Sequence, residues 1–371
     1  MVERTEPGIY EIRGSIYNNS AGDRVLEWNA STFAGFWYDL KDNLKSETLE
    51  ITADPGTTDR TIADGNLTYT AERQFVKYKV NSQEDKFVRD GLDSDGTINT
   101  TGGTHYAVVG WQAEKYIALR GNAQKLVRQV LEQGSTDRKT LTVGETWDLG
   151  EGWELTAQSI DARASPRQVW LVLKKDGVTL EDEVTTTGNV FTYRRTLGGK
   201  TDAPLFVTYV DSVFAGATTD MVQLKYTWVV STSVTEVKTS DTYGNMEVTV
   251  ASADRLTLKN QDRSISLDRD STADIMGNLK FKVADDDVLR FYPMVEYQIG
   301  DDVTPPVDVT PPVDETPPVD VTPPVDVTPP VDVTPPVETP TEEEPGVPGF
   351  EAVFAIAGLL AVAFLVLRQR K

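Results

Sequence analysis

The segment Val169-Trp170-Leu171-Val172-Leu173-Lys174-Lys175-Asp176-Gly177 joins a continuous apolar run to residues that are typical of a turn. A run of this kind predicts a strand that is buried on both faces, and the Lys-Lys-Asp-Gly sequence predicts the turn that ends it. Leu205-Phe206-Val207 is a second such run, and Leu197-Gly198-Gly199-Lys200 is a second turn. These segments favour β structure.

Other segments show the alternation of a half-buried strand. Apolar residues alternate with polar or charged ones over Arg255–Lys259, Leu279–Val283 and Trp153–Ala157, and a period of two indicates strands with one buried face. Leu126–Leu131 has helical spacing, with Gly134 where a helix cap would lie, but the strand signals around it outweigh that reading. The sequence therefore predicts an all-β fold.

The chain divides by composition into a folded body and a tail. A body of this length with many short strands favours two packed β-sandwich subdomains over one sheet. We place the body at residues 8–300, with subdomain divisions near 135–145 and 235–245. An acidic Pro-rich repeat spacer follows at 301–346, and residues 348–371 form the C-terminal segment.

The spacer repeats the hexad Asp-Val-Thr-Pro-Pro-Val six times between Asp302 and Val337. Two prolines in each hexad exclude helix and central strand, because proline lacks an amide donor and fixes φ. Polyproline II is what remains, and 36 residues in that conformation span about 110 Å. The alternatives are an ordinary disordered linker and, less favoured, a Pro-rich ligand for an aromatic groove.

The C-terminal segment combines three features. Pro348-Gly349-Phe350 precedes an apolar run from Ala352 to Leu367, and the chain closes with Arg368-Gln369-Arg370-Lys371. The apolar run predicts one hydrophobic transmembrane helix of about 24 Å, which is short against a hydrocarbon core of about 30 Å. The terminal cations place the C-terminus in the cytoplasm and the body outside. The short length leaves a thin permanent anchor or a signal that is removed and replaced by lipid.

Composition agrees with an outside location. The chain has no cysteine and a formal net charge of −22, which excludes thiolate metal sites and argues against nucleic-acid binding. Residues 1–8 contain no apolar signal segment, so we expect a signal peptide to have been removed or to lie upstream.

Two family resemblances follow from these and further residues. Pro348-Gly349-Phe350 with its apolar and basic flanks resembles the PGF-type C-terminal sorting signal of archaeal surface proteins, which implies recognition by a membrane sortase.

The body resembles the S-layer family duplication domain of methanogenic archaea in these segments: Glu11–Tyr17, Trp28–Leu40, Leu149–Trp153, Val169–Leu173, Asp176-Gly177, Val213–Gly216, Tyr243–Val248, Ile275–Lys280 and Leu289–Pro293. This resemblance implies paired β-sandwich subdomains that tile into a porous, negatively charged sheet over the cell. The main lattice proteins of the family resemble two tandem copies, whereas this chain has room for one, which favours an auxiliary envelope component.

Four N-glycosylation sequons lie within the first hundred residues, at Asn18, Asn29, Asn66 and Asn99. Each is a short pattern that also arises by chance in a Thr-rich sequence. If they are used, they place glycans on one side of the first subdomain, as expected for an outer surface.

Signals for catalysis are weak. His105, after Gly102-Gly103-Thr104, is the chain's single histidine, and a lone loop histidine is more often a surface residue than a base. Asp93-Ser94-Asp95-Gly96 resembles the opening of a calcium loop, but Thr104 stands where the bidentate Glu belongs. Asp285-Asp286-Asp287 is a further candidate for a divalent cation such as calcium, and a solvated turn is the favoured reading of both. The sequence thus predicts no catalytic, cofactor or metal residues.

Three functions remain, in order of preference. The first is a non-enzymatic structural S-layer protein that assembles with itself or with other S-layer subunits. The second is a membrane-anchored adhesin or binding module, and the third is an anchored hydrolase with a carboxylate pair.

Overall fold

Antiparallel strands form almost all of the regular secondary structure in the computed structural model, which describes residues 2–6, 8–21, 24–55 and 59–298. In the first half of the chain the strands are β1 (Val2–Glu6), β2 (Ile9–Arg13), β3 (Tyr17–Asn18), β4 (Glu27–Asn29), β5 (Tyr38–Asp39), β6 (Leu44–Lys45), β7 (Glu47–Ile51), β8 (Thr61–Ile62), β9 (Leu67–Glu72), β10 (Gln74–Lys77), β11 (His105–Trp111), β12 (Glu114–Ala118), β13 (Lys125–Val127), β14 (Gln129–Glu132) and β15 (Lys139–Thr142). In the second half they are β16 (Thr146–Gly150), β17 (Trp153–Asp161), β18 (Gln168–Lys175), β19 (Val178–Thr186), β20 (Val190–Leu197), β21 (Lys200–Phe214), β22 (Met221–Val230), β23 (Thr235–Glu236), β24 (Thr242–Tyr243), β25 (Met246–Ala251), β26 (Arg255–Lys259), β27 (Ile265–Ser266), β28 (Thr272–Met276), β29 (Leu279–Val283) and β30 (Arg290–Gln298). The helical elements are α1 (Lys79–Glu84) and a 3₁₀ turn at Leu119–Gly121. The all-β prediction is confirmed.

The strands form five larger sheets and two two-stranded sheets, β5-β6 and β8-β27, within the described ranges. The terminal sheet has the order β1-β2-β30-β29-β28, with β3 also on β30, and the outer sheet has the order β24-β25-β26-β9-β7-β4. The central sheet runs β10-β11-β12-β13-β23. The long-strand sheet runs β14-β22-β21-β20, with β15 also on β22, and the four-stranded sheet runs β16-β17-β18-β19.

Two hydrophobic cores lie between these sheets. In the first core Tyr17 stacks on Phe291 with ring centroids 4.6 Å apart, and Phe281 meets Phe291 edge-on at 5.0 Å. In the second core Phe191 packs on Phe206 at 5.6 Å. The first core draws residues from both ends of the body, and the second is built mainly from β14 to β22. The subdomain divisions near 135–145 and 235–245 stay predictions.

The central sheet faces both cores. Along β11, Tyr106 and Val108 point into the second core, while Ala107, Val109 and Trp111 point into the first. Successive side chains of a strand point to opposite faces, so an apolar residue at nearly every position lets one sheet serve two cores. The cores are therefore joined by a shared layer of hydrogen-bonded strands.

Local predictions for individual strands are mostly confirmed. The alternating segment Leu279–Val283 is β29 with its apolar residues buried, and Leu126–Leu131 lies in strands β13 and β14. Leu205–Val207 is fully buried in β21. The prediction of burial on both faces is wrong for Trp170, which is 40% exposed. Val172 on the same face of β18 is buried, so the exposure is local to Trp170. The Trp170 indole donates a hydrogen bond to Asp182 on β19 at 3.2 Å.

The C-terminal predictions lie outside the described residues. They are the spacer at 301–346, the motif at Pro348, Gly349 and Phe350, and the helix from Ala352 to Leu367. Within the ranges that the structure describes, no helix is long and apolar enough to cross a membrane.

Candidate functional site

Three of the four sequons adopt the same local turn. The side-chain oxygens of Asn18 and Asn29 accept hydrogen bonds from the backbone N–H of the sequon serine two residues later, at 3.0 and 2.9 Å. Asn99 accepts from both the backbone N–H and the hydroxyl of Thr101, at 3.0 and 2.7 Å. This Asx turn is a conformation that Asn favours in loops. It holds the Asn amide and the hydroxyl residue on the same side of the chain.

Asn66 is placed differently. Its side-chain oxygen faces the hydroxyl of Thr52 at 3.4 Å, and its sequon threonine, Thr68, lies within strand β9. The Thr68 hydroxyl is buried and has no hydrogen-bond partner among the described residues. The hydroxyl that completes this sequon is therefore inaccessible in the folded chain.

We expect glycan occupancy to be high at Asn18, Asn29 and Asn99 and lowest at Asn66. Glycopeptide mass spectrometry of protein from its native host measures this occupancy site by site, and Asn→Gln variants confirm each assignment through the lost mass. Occupancy at Asn66 equal to that at Asn99 would contradict the geometric argument.

The aspartates of the calcium-like segment serve a tight turn. Asp95 accepts the backbone N–H of Thr97 at 2.8 Å, and this bond is the first cause of its lowered pKa. Asp93 faces the side-chain amide of Asn99 at 3.3 Å, and Gly96 has φ +84°, which glycine adopts without strain. Both carboxylates thus accept hydrogen bonds that stabilise the turn.

The Asp285–Asp287 turn is neutralised by arginine. Asp286 accepts the backbone N–H of Val288 at 2.7 Å and pairs with Arg290, and these contacts lower its pKa. Asp287 pairs with Arg269. Within the described residues, no group of three or more histidine or acidic side chains is arranged to hold a metal ion.

His105 is the first residue of β11 and is half-buried. Burial, followed by the nearby Lys77, lowers its pKa, and Asp93 opposes this shift. Its Nδ1 atom pairs with the Thr104 hydroxyl at 2.6 Å. The cavity beside it, lined also by Tyr78 and Trp228, measures about 20 Å³. That volume holds one water molecule and leaves no room for a substrate.

Asp90 anchors the loop before β11 to strand β20, which belongs to the second core. Its side chain is 4% exposed and pairs with Arg194 of β20, while its carbonyl oxygen accepts a hydrogen bond from Arg120. Arg89 approaches the same carboxylate at 3.8 Å. The Asp90–Arg194 pair stabilises the position of this loop, because removing one partner would leave an unpaired buried charge.

Glu47 is another buried carboxylate and has no exposed surface. It accepts the backbone N–H of Trp37 at 2.9 Å, the backbone N–H of Ala113 at 2.8 Å and the Tyr69 hydroxyl at 2.7 Å. Burial raises the pKa of Glu47 to about 7, and the three donors partly offset this rise. The carboxylate thus ties β7, β9 and the β11–β12 turn together.

Glu47 was missed from the sequence, although one signal was present. Glu47, Leu49 and Ile51 are spaced by two residues in β7 and so share the buried face. An acidic residue in phase with two core residues indicates a buried carboxylate that needs donors.

Comparison with known proteins bears on the whole body. A family model described as S-layer protein matches residues 17–285, and a model described as PGF-CTERM motif matches residues 347–369. The Major S-layer protein of Methanosarcina acetivorans is 35% identical over 100% of this chain and 54% of its own length. The Major S-layer protein of Methanosarcina barkeri is 33% identical over 99% of this chain and 54% of its own length.

The chain spans about half the length of these curated relatives. The S-layer family model covers the strands of both cores, from β3 to the residues just beyond β29. A match of this extent, over well-packed structure and in agreement with the sequence motifs, shows the family. The chain belongs to the S-layer protein family.

Proposed function

We propose that this chain is a structural subunit of a cell-surface S-layer. The observation that carries the proposal is the family match over residues 17–285, which takes in both cores and the sheet between them. The relatives are named Major S-layer proteins. We propose that this chain assembles with copies of itself or with other S-layer subunits, as a main or an auxiliary component.

A non-enzymatic role is part of this proposal. His105 faces Thr104 rather than a carboxylate, and the buried carboxylates Glu47 and Asp90 are held by donors from separate strands and loops. A hydrolase of the two-carboxylate type needs both groups at one accessible cleft, about 5 to 10 Å apart. Burial of both side chains supports structural roles instead.

The tail supports an outward location. The PGF-CTERM match at residues 347–369 supports recognition by a sortase-type enzyme, with the membrane held through the apolar segment Ala352 to Leu367 or through a lipid that replaces it. The acidic repeats at 301–346 would then separate the lattice from the membrane by about 100 Å. In the unprocessed chain the basic end lies in the cytoplasm.

Assembly is tested by electron microscopy of the purified full chain with calcium and without it. Ordered two-dimensional arrays support the proposal, and a requirement for calcium would reveal a cation between subunits. Monomers that persist at high concentration in both conditions would contradict it and would favour a displayed adhesin.

Processing is tested with a substitution in the sorting motif. We expect Phe350→Ala to retain residues 352–371, whereas the unaltered chain loses them, because the motif is what the processing enzyme reads. Intact-mass measurement of protein from the native host gives the answer, and Phe354→Leu inside the apolar run is the matched control. An unaltered chain that keeps its C-terminal lysine would rule out cleavage.

A further inference from the structure

The strand β19 is a long free edge. Val178–Thr186 pairs with β18 on one side, and in the described part of the chain no strand pairs with its other side. Val178 is 63% exposed and Val184 is 56% exposed. A row of unpaired backbone N–H and C=O groups on an exposed strand is a template for a further strand.

This edge is acidic and has an apolar neighbour. Glu181, Asp182 and Glu183 are consecutive exposed residues that form no salt bridge with any described residue. A groove of about 470 Å³ beside them is lined by Val184 and Phe87, and also by Lys86. Phe87 is 59% exposed. The edge therefore suits a strand with basic residues and a small apolar contact.

Two adjacent basic residues lie at another strand edge around the second core. Strand β15 (Lys139–Thr142) pairs with β22 on one side, and Arg138 just before it is exposed and without an ion pair among the described residues. Lys139 makes a loose contact with Glu145 at 3.7 Å and lies 5.8 Å from the Trp147 ring centroid. Val143, just after β15, is 44% exposed.

The two edges lie on opposite sides of the pair formed by the four-stranded sheet and the long-strand sheet. In the four-stranded sheet β19 is one edge and β16 the other, and in the long-strand sheet β20 is one edge while β14 and β15 lie beyond β22. β19 lies beside β20, whereas β14 and β15 lie beside β16 and β17. An acidic edge and a basic edge thus face away from each other.

We propose that β19 of one copy of this chain docks against the β15 edge of a second copy. The acidic trio of β19 meets Arg138 and Lys139 of the neighbour, and Val184 and Phe87 supply the apolar contact. Pairing of β19 with itself is disfavoured, because an antiparallel pair would place acidic residues opposite acidic residues. A contact between two different surfaces does not close on itself and extends into rows of subunits. This inference rests on the proposed function and names the contact that assembly would use.

Site-directed cross-linking tests the contact, because the chain contains no cysteine. Thr140→Cys and Asp182→Cys place one thiol on each edge, at exposed positions of full-length protein. With a short bis-maleimide, we expect a cross-linked dimer when the two variants are mixed and none from either variant alone. Asp182→Cys that cross-links with itself would overturn the proposal, and so would a mixture that gives no dimer.

Array formation by the unaltered chain is recorded in parallel to separate the two proposals. Arrays without the mixed cross-link overturn the β19–β15 contact and leave the S-layer role in place. A mixed cross-link without arrays supports the contact and counts against a lattice.

Charge reversal gives a second, independent readout. We expect a variant with Glu181→Lys and Glu183→Lys to lose at least tenfold in association, and a variant with Arg138→Glu and Lys139→Glu to do the same. Combining all four changes in one chain restores association, because each edge again meets its opposite charge. The control reverses Glu27 and Glu50, two exposed residues that lie opposite each other on β4 and β7 of the outer sheet, and we expect it to associate normally. Failure of the combined variant, when it is folded by circular dichroism, would overturn the proposal.

Discussion

Replacing Glu47 with alanine is expected to lower the free energy of unfolding by about 3–5 kcal/mol. The change leaves the backbone N–H groups of Trp37 and Ala113 and the Tyr69 hydroxyl without their acceptor in a fully buried site. A buried donor without a partner costs about 1–3 kcal/mol, and the lost side chain also leaves a cavity. Urea unfolding followed by tryptophan fluorescence measures the loss.

Glu47→Gln removes the charge of the side chain while nearly keeping its shape. Burial raises the pKa of Glu47 to about 7 from an ordinary value of 4.5, so the folded state favours the protonated form. The stability that this group contributes is full below about pH 4.5 and is lost as pH rises through about 7. The free-energy advantage of the unaltered chain over Glu47→Gln should therefore shrink by about 3 kcal/mol across that window.

The matched comparison is between Glu47→Gln and Glu47→Ala at each pH. Glutamine keeps one oxygen for Ala113 and Tyr69 but presents an amide donor to the Trp37 N–H, so we expect it to be less destabilising than alanine. An advantage of the unaltered chain that stays constant or grows between pH 4.5 and 7 would show that the three donors hold the carboxylate charged.

Gly103→Ala is the second change with a large expected effect. A methyl group at Gly103 would lie 2.1 Å from the Gly91 carbonyl carbon and 2.3 Å from the Leu92 nitrogen, both of them backbone atoms. Two backbone segments pass each other here at a distance that only glycine permits. The Gly103 N–H also donates a hydrogen bond to the Val88 carbonyl, and the Gly103 carbonyl accepts one from the Val88 N–H. We expect a loss of about 3 kcal/mol or more, together with a weakened contact between Asp90 and Arg194.

Gly134→Ala is the control for Gly103→Ala. Its added methyl group would meet the Asp137 carboxylate at 3.0 Å, an exposed group that accepts the Gly134 N–H at 2.7 Å and needs to shift by only a few tenths of an ångström. We expect a change within about 0.5 kcal/mol. Thermal unfolding compares the two variants directly, and equal shifts would contradict the role of the backbone crossing.

The all-β fold class could be predicted because, in most strands, apolar and polar residues visibly alternate with a period of two. In Leu279–Val283 one face meets a core and the other meets solvent, so apolar residues and lysines alternate. Leu126–Leu131 lacks that period for a structural reason. Leu126 faces the first core and Val127 the second, and a bulge between Gln129 and Leu131 then shifts the register. Together, these two effects give the apolar residues of Leu126–Leu131 a spacing that resembles that of a helix.

The buried polar contacts could not be predicted in the same way. The donors to Glu47 come from residues 37, 69 and 113, and only the folded topology brings them together. Asp90 and Arg194 are likewise more than a hundred residues apart. The exposure of Trp170 could not be predicted either, because an unbroken apolar run gives no sign of which of its residues stays exposed.

The position of β30 in the terminal sheet has a mechanical consequence. β30 is hydrogen-bonded to β2 on one side and to β29 on the other, and its pairing with β2 continues to Gln298. The chain leaves the body at that end and runs on toward the sorting motif. A pull along β30 would load its two ladders in shear, with many hydrogen bonds sharing the force at once, rather than opening them one by one. The body is thus joined to its C-terminal segment through the strand of the terminal sheet that is best placed to bear tension.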